Sequence, residues 1–277
     1  DYFNYSLAAA GKYFLTQELG LTIDGTMTTR RPKIEDYATS YYPSTTQTKI
    51  MLGRGGLFFN NDRLSLTSLV SCIVKTNNRT VLNVNNPNPG MTDLKALAFN
   101  YNIQTIGWTT DAIVSPFRNF DLHFLLTYQK PTYKKFETTV NFKDKDGQER
   151  AFPVSATGNI VTEIPQILIE IDPGYTIAEK VKLWTSFRYF SKTYANLSNA
   201  LYFNGHWETF GGVNYKINDK ISLGATVINF FNQTGATGTI AGSELITKDE
   251  AGRFHDVYMV GKYLRPFTVE FSTNIHF

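Results

Sequence analysis

Apolar and polar side chains alternate with period two in stretch after stretch of this chain. From Phe267 onward, Phe267, Val269, Phe271, Ile275 and Phe277 fall on one side with Thr273, and Thr268, Glu270, Ser272, Asn274 and His276 fall on the other. Period two places the two sets on opposite faces of a β-strand. The same texture recurs upstream. Ile221, Leu223, Ala225 and Val227 alternate with Ser222, Gly224 and Thr226, and Phe120, Leu122, Phe124, Leu126 and Tyr128 alternate with Asp121, His123 and Thr127. Leu64, Leu66, Val70, Cys72 and Val74 do so with Arg63, Ser65, Thr67 and Ser71. Eleven strands are predicted, over residues 2–16, 20–29, 48–59, 63–76, 95–114, 120–130, 164–177, 181–192, 205–217, 220–231 and 266–277.

The connections fall into two length classes. Gln17-Glu18-Leu19-Gly20, Asn60-Asn61-Asp62, Ser115 to Asn119, Ala178-Glu179-Lys180 and Asn218-Asp219 have the composition of tight turns. The long connections are 30–47, 77–94, 130–163, 193–204 and 232–265, and short and long alternate along the chain. A barrel of a bacterial outer membrane has short turns at its periplasmic end and long loops outside, whereas a soluble sandwich has no reason to sort its loops by end.

Composition sharpens this picture. Charged residues make up 18% of the 277, against about 25% in an ordinary soluble domain. Aromatics make up 14%, with 21 Phe and 16 Tyr. A surface that partly meets lipid explains both. Mean hydropathy is only −0.24 and no run of about 18 apolar residues occurs, so a membrane-spanning helix is excluded. A closed barrel is then the remaining way to satisfy every backbone N–H and C=O inside a bilayer. The net charge of +3, without a Lys/Arg block, argues against a nucleic-acid partner. Cys72 is the single cysteine, so no internal disulfide is expected. The count of eleven is odd, while single-chain bacterial barrels have even counts. The expectation is therefore an all-β transmembrane antiparallel barrel wall that belongs to a larger barrel, with any export signal removed or lying upstream.

The run Asn214-Tyr215-Lys216-Ile217-Asn218-Asp219-Lys220-Ile221-Ser222-Leu223-Gly224, followed by Val227-Ile228-Asn229-Phe230-Phe231-Asn232-Gln233, resembles the penultimate hairpin of TonB-dependent outer-membrane receptors. Arg265 to Phe277 resembles that family's closing strand, in the style of its Bacteroidetes members, and Tyr5 to Thr29 resembles a mid-barrel hairpin. The resemblance implies that residues 1–277 form the second half of a barrel of about 22 strands. It implies a plug domain contributed by the missing N-terminal half, with TonB contacted through that half and a surface lipoprotein as a further partner. It also implies outer-membrane lipid around the wall and a location in the outer membrane of a Gram-negative bacterium. No Ser–His–Asp or Cys–His grouping stands out and the carboxylates are scattered, so neither an enzymatic activity nor a cofactor is expected. The implied task is import of a scarce large solute: an iron–siderophore complex, haem or cobalamin, or else a glycan or peptide. Phe271, Ile275 and Phe277 resemble the terminal signal for barrel assembly. A passive porin, an autotransporter translocator and a soluble β binding module are the rival readings.

The remaining motifs have plain structural readings. Asp144-Lys145-Asp146-Gly147 lacks the ligand spacing of a calcium loop and reads as the turn of a hairpin, with Thr139, Val140 and Phe142 in one arm and Ala151, Phe152 and Val154 in the other. Gly53-Arg54-Gly55-Gly56 lacks the Lys-Ser/Thr ending of a phosphate loop and reads as a kink or a close backbone approach. His123, His206, His255 and His276 show no metal-ligand spacing, with His123 and His276 on polar faces that point into the lumen. Tyr13, Phe14, Phe58, Phe59, Trp108, Trp184, Trp207, Phe230 and Phe231 read as interfacial girdles. The outer-loop aromatics Tyr37, Tyr41, Tyr42, Tyr133, Tyr194 and Tyr202, with Phe203, are the candidate ligand-binding groups. Loop charges nearly cancel, so no anion funnel is expected.

Overall fold

The computed structural model describes residues 3–32, 46–240, 243, 246–254 and 262–275. Among the described residues seventeen strands occur in chain order. They are β1 Ser6–Phe14, β2 Leu19–Arg30, β3 Thr48–Asn60, β4 Leu64–Asn85, β5 Leu94–Val114 and β6 Phe120–Lys134. Next come β7 Glu137–Lys143, β8 Glu149–Ser155, β9 Ile167–Ile177, β10 Val181–Phe190, β11 Thr193–Tyr194 and β12 Tyr202–Phe203. The last are β13 His206–Lys216, β14 Ile221–Ile228, β15 Ala236–Thr237, β16 Lys262–Tyr263 and β17 Thr268–Ile275. Eleven of them form one antiparallel sheet in the order β1-β2-β3-β4-β5-β6-β9-β10-β13-β14-β17. Three pairs are left out of that sheet: the hairpins β7–β8 and β11–β12, and the short antiparallel pair β15–β16, all within long connections.

Each strand pairs with the next wall strand in sequence, so the register carries one side-chain face across the whole sheet. One row runs Phe120, Tyr175, Leu183, Val213, Ala225, Phe271. Another runs Ile23, Gly55, Val70, Trp108, Tyr128. This face is apolar and uncovered: Ile23 is 67% exposed, Val70 60% and Phe271 83%. Removing apolar area from water is worth about 25 cal/mol per Å². A face this continuous therefore needs hydrocarbon against it, and no second sheet supplies any among the described residues. The opposite face carries Asp24, Arg54, Asp111, His123, Asp172, Glu170 and Arg188, and it is the inner one.

The short turns are closed by side chains that stand in for backbone partners. Thr16 Oγ1 accepts the N–H groups of Glu18 and Leu19, Asn61 Oδ1 those of Arg63 and Leu64, and Asn218 Oδ1 those of Lys220 and Ile221. The glycine motif at 53–56 is a close approach: a Cβ on Gly56 would lie 1.9 Å from the Ser68 carbonyl oxygen. Asp144 to Gln148 is the predicted hairpin turn, and its arms pair Val140 with Phe152 and Thr138 with Val154.

Two expectations are corrected. Residues 77–94 are not mainly loop, because β4 continues to Asn85 and β5 starts at Leu94. The register shifts between Lys75 and Asn78, with Asn77 at φ 54°. An extra residue reverses which alternate positions face inward, so a period-two template loses the strand at that point. The aromatic girdle also splits. Neighbouring residues in a strand face opposite ways, so Tyr13 and Phe59 face outward while Phe14 and Phe58 face inward and meet edge-on at 5.3 Å. Trp184 likewise lies on the inner face, in register with Gly174 and Gly212.

The conventional hydrophobic core sits at the long-loop end. Phe99, Tyr133, Phe136, Ala156, Val161 and Leu197 form one buried cluster, and Val84, Val140, Phe142 and Val154 form a second. A spanning strand needs about 9–11 residues, so the far halves of β4 and β5 project past the bilayer. The β7–β8 hairpin packs against that projection.

Candidate functional site

Two regions carry concentrated polar chemistry: the inner wall and the outer mouth. On the wall, charged groups are tied across strands. Asp24 on β2 pairs with Arg54 on β3 at 3.1 Å, directly opposite in the register. His123 on β6 bridges two carboxylates, Nε2 to Asp111 on β5 at 3.1 Å and Nδ1 to Asp172 on β9 at 3.0 Å. Glu170 on β9 holds Arg188 on β10 at 2.9 Å, and the Arg188 guanidinium also lies 5.3 Å from the ring centre of Phe210. With both ring nitrogens spent on carboxylates, His123 has neither left to ligate a metal.

At the mouth, Phe136 meets Phe99 at 4.5 Å, Tyr133 at 4.9 Å and Tyr101 at 5.1 Å. Burial pushes the Tyr101 hydroxyl up to about 12, with Tyr133 adding to the rise and the hydrogen bond from Asn78 opposing it. Burial also raises the Tyr133 hydroxyl. Both phenols therefore stay protonated near neutral pH, with the Tyr133 hydroxyl bonded to Thr162 and the Tyr101 hydroxyl to Asn78. They line a pocket of about 360 Å³ with Thr80, Leu82, Thr162 and Glu163.

Asparagines lock the neighbouring loops together. Asn196 is 3% exposed. Its Oδ1 accepts the N–H groups of Ala200 and Leu201, and its Nδ2 donates to the Ser243 carbonyl at 2.9 Å. Asn159 donates to the Leu197 carbonyl, and Asn199 exchanges bonds with both backbone groups of Ile160.

Of the candidate ligand aromatics, Tyr194 and Tyr202 are brought together as a cross-strand pair in the β11–β12 hairpin. The Lys192 ammonium lies 5.2 Å from one ring centre and 5.1 Å from the other, so one cation meets both rings. Tyr202 is 54% exposed. Tyr133 is not with them: it is 4% exposed and packs into the mouth cluster, its hydroxyl 3.3 Å from that of Thr162. Tyr37, Tyr41, Tyr42, His276 and Phe277 lie outside the described residues. Phe271 and Ile275 lie on the outward face of β17, 83% and 56% exposed. Sequence reasoning missed Tyr101, Glu163 and the asparagine clamps, because their signal lies only in which loops meet.

The β7–β8 turn depends on one carboxylate. Asp144 is 8% exposed, which opposes its ionisation. The N–H groups of Gln148 and Asp146 and the Arg150 guanidinium outweigh this and hold it below its ordinary 3.8. A carboxyl with a depressed folded value stabilises the fold above its unfolded value, and that stabilisation is lost as pH falls through the folded value. Amide exchange at Asp146 and Gln148, corrected for intrinsic rates, is thus expected to be flat from neutral pH down to about 5 and to accelerate below 3.8. In Asp144→Asn the acceleration should vanish; its persistence would assign the turn's stability to other groups.

An uninterrupted antiparallel meander, with an exposed apolar face, a charged inner face and loops sorted by end, defines a wall of a transmembrane β-barrel. No protein-family model matches the chain, and no curated protein matches it in sequence. Solved structures do. The ferric-catecholate import receptor Fiu of E. coli superposes with a TM-score of 0.64 at 17% identity, covering 98% of this chain and 34% of that one. The copper transporter OprC gives 0.67 at 14% identity, with 97% and 38% covered. The siderophore receptor PiuA of Acinetobacter baumannii gives 0.68 at 10% identity, with 97% and 35% covered. The fold of this chain is that of outer-membrane import-receptor barrels, and the likeness is to transport proteins, not enzymes. The chain spans about a third of the length of the structures it matches.

Proposed function

We propose that residues 1–277 are the C-terminal half of the barrel of a TonB-dependent outer-membrane receptor that imports a scarce large solute. The observation that carries this reading is the superposition of 98% of the chain, with its eleven-stranded sheet, on an import-receptor structure, together with the hairpin motif at 214–233. Open sheet edges in lipid are prohibitively costly, and β1 and β17 are the two edges of this sheet. Further strands, about 22 in all, would close it. The inner wall would face a plug domain from the N-terminal half, and that half would contact TonB. The mouth would receive the cargo, with a surface lipoprotein as a further partner.

The names of the similar structures point to metal chelates: ferric catecholates, preacinetobactin, pyoverdine and copper. An iron–siderophore complex is accordingly the leading cargo, with haem, cobalamin, a glycan or a peptide behind it. A passive porin is disfavoured because the outer loops pack into a structured mouth.

The test is uptake of labelled ferric siderophores by cells that carry the intact receptor as their sole import route. Uptake should stop when the proton-motive force is collapsed; continued uptake would favour a passive pore. Tyr202→Ala should weaken cargo binding about 5–10-fold, read as the Kd on whole cells. An unchanged Kd would remove the tyrosine pair from the cargo site.

A further inference from the structure

The inner wall carries a pocket of about 520 Å³ between β6, β9 and β10, beside the His123 bridge. Two of its polar atoms have no partner. One Asp172 oxygen meets His123, while the other, Oδ1, is shielded from solvent and receives no donor. Ser186, facing it from β10, is 6% exposed and its Oγ has no partner either. β9 and β10 pair at Trp184 with Gly174 and again at Phe187 with Ile171, but not across Asp172 and Pro173, because a proline has no N–H to give.

Trp184 lines the same pocket. Glycines stand opposite it on both neighbouring strands, and its indole lies so close over Gly212 that a Cβ there would fall 2.8 Å from the ring. The charges around it are largely committed. Arg188 is neutralised by Glu170, Asp111 is bonded to His123 Nε2, and Asp121 accepts the Ser115 hydroxyl at 2.6 Å. Lys182 lines the pocket too, but Trp184 stands between it and Ser186 along β10. The groups left over are a buried carboxylate oxygen, a buried hydroxyl and an aromatic face. A carboxylate only accepts, and an aromatic face attracts cations, so this set matches a positively charged N–H donor.

We propose that this pocket binds an alkylguanidinium or alkylammonium group, with Asp172 and Ser186 accepting its N–H groups and Trp184 lying against its charge. The group comes either from a solute in the lumen or from an arginine or lysine side chain of the polypeptide that fills the lumen. The proposal rests on the barrel reading above.

The experiment uses the intact receptor with 5-fluorotryptophan and follows the fluorine resonance of Trp184, assigned by its loss in Trp184→Phe. Trp108 and Trp207 lie on the outward face and serve as internal controls. If the cation is a solute, agmatine shifts the Trp184 resonance saturably, uncharged butylurea does not, and Asp172→Asn weakens the response about tenfold or more. Ser186→Ala gives the same test with a smaller loss, should Asp172→Asn fail to fold. If the cation is a side chain of the lumen-filling polypeptide, agmatine acts only after that segment is deleted. A resonance blind to agmatine in both forms, a response that survives both substitutions, or an equal response to butylurea overturns the proposal. Transport is not read, so a receptor that binds agmatine yet fails to import cargo would sink only the uptake reading.

Discussion

Val70→Arg is expected to cost about 2–4 kcal/mol of barrel stability, because it sets a guanidinium against the hydrocarbon near mid-membrane. Val70 lies near the middle of the spanning part of β4, 60% exposed on the outward face. Its neighbour Ser71 faces inward, in register with Arg54 and Gly107, where the surroundings are polar. Ser71→Arg should therefore cost far less, although the two positions are adjacent in sequence. The measurement is a urea titration of the intact receptor folded into lipid vesicles, with outer-membrane yield in cells as a second readout. Equal losses at both positions, or none at Val70, would mean that the exposed apolar face does not meet lipid.

Phe136→Ala should have a comparable effect, but confined to the mouth. Phe136 is 1% exposed and touches Phe99, Tyr101 and Tyr133. Its amide donates to Thr157 Oγ1 and its carbonyl accepts the Ala156 N–H, so it joins the two ends of the inserted hairpin. Emptying a buried Phe site costs about 3–5 kcal/mol. If opening of the hairpin bears most of that, its opening constant rises roughly 100-fold or more. Trypsin should then cut rapidly at Lys143, Lys145 and Arg150 in the folded variant, while the wall strands stay protected. A control, Phe142→Ala, empties the second cluster, near the hairpin tip, and should leave the Phe99–Tyr101–Tyr133 packing intact. Cutting at the wild-type rate in Phe136→Ala would show that the asparagine clamps alone hold the mouth.

All eleven predicted wall strands occur, and the reason is local. A strand with one side in lipid and one in a polar lumen must alternate, and that alternation is written in each strand separately. The turn chemistry at Asn61, Asn218 and Asp144 is local too, since each side chain bonds backbone groups within four residues of itself. The candidate site was far less legible. In the sequence six loop tyrosines share only the outer side, yet Tyr194 and Tyr202 meet across a hairpin whereas Tyr133 is sealed beneath the mouth. Burial of a loop residue depends on which other loops fold over it, and alternation says nothing about that.

The sequence by itself determined the wall: the strands, their two faces and the sorting of loops by end, because a bilayer imposes the same demand on every strand separately. The tertiary structure decided the rest. Only the register could bring Asp111, His123 and Asp172 from three strands into one bridge, or set Trp184 against Gly174 and Gly212. Only the bulge after Lys75 and the contacts between loops could place β4, β5 and the β7–β8 hairpin into a packed mouth, since these depend on pairings between residues far apart in the chain.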